Sequence, residues 1–162
     1  MKKSILRRVF NRFAGKLAAV LPGAESVRPF LHRLRGVQIH GKVFIGDEVY
    51  LENEYPEAVT LEAGAQLCLR SIVIAHTNGL GRIVIKRDAF VGANSVISAT
   101  KGKTLTIGEG AVVSAGCVIS SDVPDHALVG YAKPAILARV TVPLSNTVDY
   151  DKFLLGLRMW KK

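Results

Sequence analysis

Between residues 36 and 139 an aliphatic side chain returns at every sixth position. The series runs Ile39, Ile45, Leu51, then Leu61, Leu67, Val73, then Ile85, Val91, Ile97, then Ile107, Val113, Ile119. Small residues often follow directly (Gly46, Gly92, Gly108), and small or β-branched ones often stand four further on (Val43, Ala65, Ala89, Cys117). An amphipathic helix would repeat at 3.6 and a half-buried strand at 2, so a period of six is neither. It predicts short strands separated by turns, three to a coil of 18 residues, each coil stacked on the last at about the 4.8 Å strand spacing. The phase slips between Leu51 and Leu61 and between Ile97 and Ile107, each a hexad with four residues inserted. Val73 to Ile85 reads as two full hexads, with Gly79 in the silent position. Thirteen hexads make slightly more than four coils.

The pattern changes on either side. Over 4–21 the period is helical: Ile5, Leu6, Val9, Phe10, Phe13, Leu17 and Val20 share one arc, while Arg7, Arg8, Asn11, Arg12 and Lys16 fill the complement. Pro22-Gly23 ends this helix, and a second short segment over 25–35 leads into Gly36. The chain therefore divides into a basic helical segment (1–35), a repeat domain (36–139) and a tail (140–162) that is mixed apolar and basic and forms a short helix.

Charge sharpens this division. The 162 residues carry a net charge of +9, yet residues 1–36 hold nine basic side chains against one acid, Glu25. The remainder is almost neutral, so any anionic partner belongs to the first segment. Three readings compete for its helix: packing against the protein or another subunit, lying on an anionic membrane surface with arginines at the headgroups, or a secretory signal peptide interrupted by Arg7, Arg8 and Arg12. Nucleic acid is disfavoured, because no base-reading or stacking motif accompanies the arginines. No apolar run reaches the ~20 residues of a spanning helix. Cys68 and Cys117 exclude a disulfide scaffold, and as small buried residues they suit a reducing compartment.

The stretch IGDEVYLENEYPE, then VIAHT, then FVGANSVI, and above all IGEGAVVSAGCVISSDVPDHALVG (residues 107–130) resembles the hexapeptide-repeat acyltransferases, in the branch that O-acetylates sugars and surface polysaccharides. The resemblance implies an all-β solenoid, a left-handed parallel β-helix. Handedness comes from the resemblance alone, since parallel crossovers are ordinarily right-handed. It also implies acetyl-CoA as co-substrate, a carbohydrate acceptor and a homotrimer. The expected location is cytoplasmic, and on the membrane-surface reading the basic amphipathic helix of residues 4–21 would keep the enzyme at the inner face of the membrane near its substrate. The chain departs from the family at its closing turn, Gly130-Tyr131-Ala132-Lys133-Pro134-Ala135, where a Gly-Asn-Pro-Ala-Lys-like sequence is usual.

His76 stands three after the inward Val73, at a coil corner and facing outward, before the glycine-rich stretch Thr77–Gly81. The resemblance makes it the general base. Stacking hexads 51, 73, 91 and 113 on one face puts Glu54 one coil below His76 and Asn94 one coil above. Glu54 is then the carboxylate that orients the ring, with Glu52 and Asn53 in reserve, and Asn53, Glu52 and Asn78 are the acceptor-binding candidates. Small side chains that let a pantetheine arm approach include Ala93, Ser95 and Ala115. By position in the family motif, Ala93, Ala115, Ser120, Ser121 and Arg139 match CoA contacts, and Arg139 and Lys133 could meet phosphate. Neither cysteine has an adjacent histidine, so direct transfer is favoured over a Cys-His relay. No two histidines in the repeat are spaced as zinc ligands, unlike those of the gamma-class carbonic anhydrases, so no metal is expected. N-acetylation of an amino sugar or amino acid, and a non-catalytic β-helix scaffold, are the alternative functions.

Overall fold

The structure, a computed structural model, describes residues 4–131, 138–143 and 149–159. Two compact units divide at Tyr131/Ala132. The first begins with helices α1 (Ile5–Val20) and α2 (Val27–Arg35) and continues as a parallel β-solenoid of about four coils. Its first coil comprises β1 (Gln38–Ile39), β2 (Phe44–Ile45) and β3 (Tyr50–Leu51). The second has β4 (Val59–Leu61), β5 (Gln66–Leu67) and β6 (Ile72–Thr77), and the third β7 (Arg82–Ile85), β8 (Phe90–Val91) and β9 (Val96–Thr100). In the fourth lie β10 (Thr104–Ile107), β11 (Val112–Val113) and β12 (Val118–Ile119), after which β13 (Leu128–Val129) starts a fifth layer on β11. Successive coils pair in parallel on three faces: β1-β4-β7-β10, then β2-β5-β8-β11-β13, then β3-β6-β9-β12. The aliphatic residue of each hexad points inward. Ile45, Leu61, Leu67, Val73, Ile85, Val91, Ile97, Ile107 and Val113 are wholly buried, with a second inward row at Ala65, Ala89 and Ala111. Burial of one such side chain is worth roughly 1.5–3 kcal/mol.

The register corrects the coil arithmetic. Leu51 lies beneath Val73, Val73 beneath Ile97 and Ile97 beneath Ile119. Leu61 lies beneath Ile85 and Ile85 beneath Ile107. Val73 to Ile85 therefore spans one corner and not two hexads: β6 runs on to Thr77, with a shift of register against β9 between Ile74 and Thr77, and a loop carries the chain across to Arg82. Gly79 is in that loop. The segments joining Leu51 to Leu61, Val73 to Ile85 and Ile97 to Ile107 all fall at the corner between the third face and the first, where they stack as a ridge.

At its lower end the solenoid is closed by the helices. The unpaired amides of Ile45 and Glu48 donate to the carbonyls of Ala24 and Ala19, each at 2.9 Å. Exposed strand edges invite foreign pairing, and this cap removes one. Ser4 caps α1, its Oγ accepting from the amide of Arg7, and α2 ends at Gly36, whose φ of 110° is one glycine tolerates readily. The seated face of α1 is Asn11, Ala14 and Ala18, not the apolar arc. Ile5, Leu6, Val9, Phe13 and Val20 are more than half exposed, because small residues are what let this helix approach the first coil. Packing of that arc onto the rest of the chain is thereby corrected.

The second unit contains β14 (Ala138–Val140), α3 (Tyr150–Leu155) and β15 (Leu157–Met159), with β14 antiparallel to β15. The short tail helix is α3, capped by Asp149, whose side chain accepts from the amide of Asp151. Arg139, expected at the end of the repeat domain, sits in β14 of this unit.

Candidate active site

His76 projects from β6, two-fifths exposed, on the ridge. It lies within a strand and not at a corner, since β6 does not turn until after Thr77. Its Nδ1 meets Glu52 Oε2 at 2.6 Å. That same oxygen accepts from the amide of Ala75 (2.9 Å), and Oε1 accepts from the amides of Glu54 (2.8 Å) and Tyr55 (3.2 Å). The Glu52 carboxylate is fully buried. Burial alone would push its pKa up, but the hydrogen bonds from His76, Ala75, Tyr55 and Glu54 outweigh it and hold the group below its ordinary value. An ionised carboxylate only accepts, so the Nδ1 proton stays on His76 and the Nε2 lone pair is left available.

The orienting carboxylate is thus Glu52, in place of Glu54. An offset of 22 would match Glu54 to His76 if both coils turned alike, but β3 ends at Leu51 whereas β6 continues to Thr77, and His76 comes to lie over Glu52. Glu54 instead forms an ion pair with Arg8, Nε to Oε1, at 2.7 Å.

Beneath this pair lies a second layer supplied by α2. Arg35 is buried and donates through Nη2 to the carbonyls of Leu51 (2.8 Å) and Glu52 (2.5 Å). Burial lowers its pKa to about 10, so it remains a cation at neutral pH. Its Nη1 donates to His32 Nδ1 at 3.1 Å, which places the His32 proton on Nε2. Burial first, and the Arg35 charge second, pull the pKa of His32 down to about 3.

His76 opens onto a cavity of about 500 Å³ lined by Arg8, Arg12, Tyr50, Asn53, Glu54, Tyr55 and His76. Tyr55 meets the imidazole edge-on, with ring centroids 6.1 Å apart. The Asn53 carbonyl accepts from Asn11 Nδ2 at 3.4 Å. Asn78 is at the exposed tip of the loop after β6, in a left-handed conformation (φ 60°). Beside His76 on β6, Thr77 Oγ1 is hydrogen-bonded at 2.7 Å to Ser98 Oγ of the coil above. Ser120 and Ser121 lie further up the same ridge, on a cleft of about 180 Å³ shared with Thr100 and Lys103.

Other expected residues are elsewhere. Asn94, taken to lie above His76, turns the corner between the second and third faces with φ 57°. Its displacement follows from the misread interval: Ile97, not Val91, stacks on Val73. Ala93 and Ala115 share that corner, the amide of Gly116 donating to the Ala93 carbonyl at 2.8 Å. Ser95 is fully buried and its hydroxyl is committed, donating to the Ser114 carbonyl at 3.0 Å and accepting from the Cys117 amide, so it presents no free group to a ligand. Arg139 is exposed on β14, and Lys133 lies outside the described residues. Arg8, Arg12, Tyr55 and Arg35 were not expected at the site; the only trace of the first two is a pair of arginines four apart on the polar face of α1. Among the described residues, no three His, Cys, Asp or Glu side chains gather as metal ligands.

The fold is a parallel β-solenoid built on a six-residue repeat. No family model matches the chain. Over 55 residues, 34% of its length, it is 49% identical to the dTDP-3-amino-3,6-dideoxy-alpha-D-galactopyranose 3-N-acetyltransferase of Aneurinibacillus thermoaerophilus, of which it covers 26%. It is 32% identical over 81 residues to YvoF of Bacillus subtilis (strain 168), which its name places only provisionally among the acetyltransferases, matching 47% of this chain and 45% of that one. The chain thus spans less than half the length of these curated relatives. A crystal structure of a hexapeptide-repeat-containing acetyltransferase from Vibrio cholerae superposes with a TM-score of 0.55 at 24% identity, over 83% of this chain and 92% of that one.

Proposed function

We propose that the protein is an acetyl-CoA-dependent acetyltransferase that acts on a carbohydrate hydroxyl, in the assembly of a cell-surface polysaccharide or its lipid-linked precursor. The observation that carries this is the Glu52–His76 pair. A buried anion fixes the Nδ1 proton and leaves Nε2 as a base facing an open cavity. His76 Nε2 takes the proton of the acceptor hydroxyl, and the oxygen attacks the thioester carbonyl of acetyl-CoA. The carbon–sulfur bond breaks as the tetrahedral intermediate collapses. The proton returns from His76 to the departing thiolate, giving the acetyl ester and CoA. No enzyme nucleophile takes part. CoA would run along the ridge past Ser120 and Ser121, and in a homotrimer a neighbouring subunit would bring its Ala93 and Ala115 edge to the same groove. Val118, Leu128 and Tyr131 are exposed on the solenoid, which supports burial of its faces on other subunits. Lys133 and Arg139 are the candidates for CoA phosphate. The exposed apolar arc of α1 supports peripheral contact with a membrane that holds the acceptor.

The 3-N-acetyltransferase relative favours a second reading, transfer to the nitrogen of an amino sugar. Both are tested by thiol release from acetyl-CoA over paired hydroxyl and amino sugars. His76→Ala should lower kcat by about 10²–10⁴-fold. Turnover that persists in this variant would discard His76 as the base, and a preference for amino acceptors would decide for nitrogen.

A further inference from the structure

Arg8 and Arg12 stand one helical turn apart on α1, and both line the cavity into which His76 opens. Arg8 is half-exposed and engaged with Glu54 on one edge of its guanidinium. Arg12 is exposed and has no ion pair or hydrogen bond to any described residue. The wall of the cavity thus carries two guanidinium groups against one carboxylate, Glu54, while the charge of Glu52 is buried and spent on His76 and three amides. A neutral sugar gives such a wall no reason to be cationic. We propose that the acceptor carries a phosphate or diphosphate beside its reacting sugar, held by Arg8 and Arg12 while the sugar hydroxyl meets His76. This rests on the acetyltransferase reading and names its substrate class.

The donor does not account for the pair. The phosphates of CoA lie a full pantetheine arm from the thioester carbon, whereas these arginines share one cavity with the base. Guanidinium groups suit phosphate because their planar forks donate two parallel hydrogen bonds to its oxygens. The same two arginines also border a shallower cleft of about 170 Å³ with Ile5 and Val9, which leads from the charged wall onto the exposed apolar arc. A polyprenyl chain leaving the phosphate would find an apolar path there; a nucleoside would not need one.

The test is calorimetric titration of the full chain with inorganic diphosphate, a nucleotide-diphosphate sugar and a polyprenyl-diphosphate sugar in detergent. Arg12→Gln should weaken all three by about tenfold or more, the loss expected for one charge-assisted pair. Arg12→Lys should recover part of it, and acetyl-CoA affinity should stay within twofold of wild type. Equal diphosphate binding by wild type, Arg8→Gln and Arg12→Gln would overturn the proposal, as would a loss confined to acetyl-CoA. His76→Ala separates the two readings, since it should stop transfer and spare diphosphate binding. Transfer without arginine-dependent binding sinks this inference alone; arginine-dependent binding with no transfer to any acceptor sinks the acetyltransferase reading and the naming of an acceptor with it, leaving a diphosphate site. Val9→Ser identifies the source: a loss for the polyprenyl sugar only supports the lipid carrier, and no loss for either supports the nucleotide.

Discussion

Four hydrogen bonds converge on the Glu52 carboxylate, and every one of them is donated to it. Glu52→Gln keeps the shape and replaces one acceptor oxygen by an NH₂ that must face a donor. An unmade buried hydrogen bond costs about 1–3 kcal/mol, so urea unfolding should show a loss of that size. The imidazole also loses its anionic anchor, and transfer should fall by about 10–100-fold, the size of effect that loss of an orienting carboxylate has on metal-bound histidines. Glu54→Gln, which alters a partly exposed ion pair, should change stability by less than about 1 kcal/mol. If Glu54→Gln proves the more damaging, the assignment of the orienting carboxylate is wrong. His32 adds a pH dependence. Its folded pKa of about 3 lies below its unfolded value near 6.5, so in acid the unfolded chain binds a proton that the folded one refuses. Stability is therefore retained above about pH 6.5 and lost as the pH falls, at up to about 1.4 kcal/mol per pH unit. Glu52, also held below its ordinary value, adds to the loss only at lower pH, in the carboxylate range. Denaturant midpoints between about pH 6.5 and 5 read this loss, and its His32 share is the part that His32→Gln removes.

At the scale of elements, α1 reaches the site through Gly15. A Cβ there would stand 2.5 Å from Arg35 Nη1 and 2.8 Å from Asn53 Oδ1. Gly15→Ala gains about 1 kcal/mol of helix propensity. Against that it must displace a guanidinium already bound to the carbonyls of Leu51 and Glu52, and overpacking typically costs about 1–3 kcal/mol. The expected outcome is unchanged helicity by circular dichroism, a lower Tm and a lower kcat. A higher Tm with full activity would show that α1 is not seated on Arg35. None of this contact was legible in the sequence, because a helical arc records which side chains are apolar and not which face is small enough to sit close. The strands were legible. A period of six assigns each inward aliphatic residue without reference to the rest of the chain. The corner was half legible: the insertions after Leu51 and Ile97 broke the phase by four and showed themselves, whereas the one after Val73 adds six residues, and the resulting interval of twelve mimics two hexads. That coincidence moved Asn94 onto the site and hid that Ser98, not a residue near Asn94, stands in the coil above it.

For the whole molecule, the helical pair has two faces with separate tasks. The inner one closes the solenoid and supports Glu52, so a chain beginning at Gly36 would lose the cap and the Arg35 bonds together, and its inactivity would say nothing about membranes. The outer face can be changed without touching the Arg35 side-chain bonds: Phe13 is exposed, and Phe10, two-fifths exposed, meets the Arg7 guanidinium, 5.5 Å over its ring. Phe10→Ser with Phe13→Ser should leave Tm within a few degrees of wild type. If the arc lies in a bilayer interface, wild type will co-sediment with vesicles rich in phosphatidylglycerol, and less so as salt rises and screens the arginines. Burial of one phenylalanine is worth about 1.5–3 kcal/mol, so the double variant should lose well over tenfold in partitioning. Turnover of a soluble acceptor should be unaffected, while turnover of a lipid-linked one should fall with the partitioning. The competing arrangement, in which another subunit covers the arc, has a different signature: the double variant would dissociate in light scattering, and wild type would ignore the vesicles.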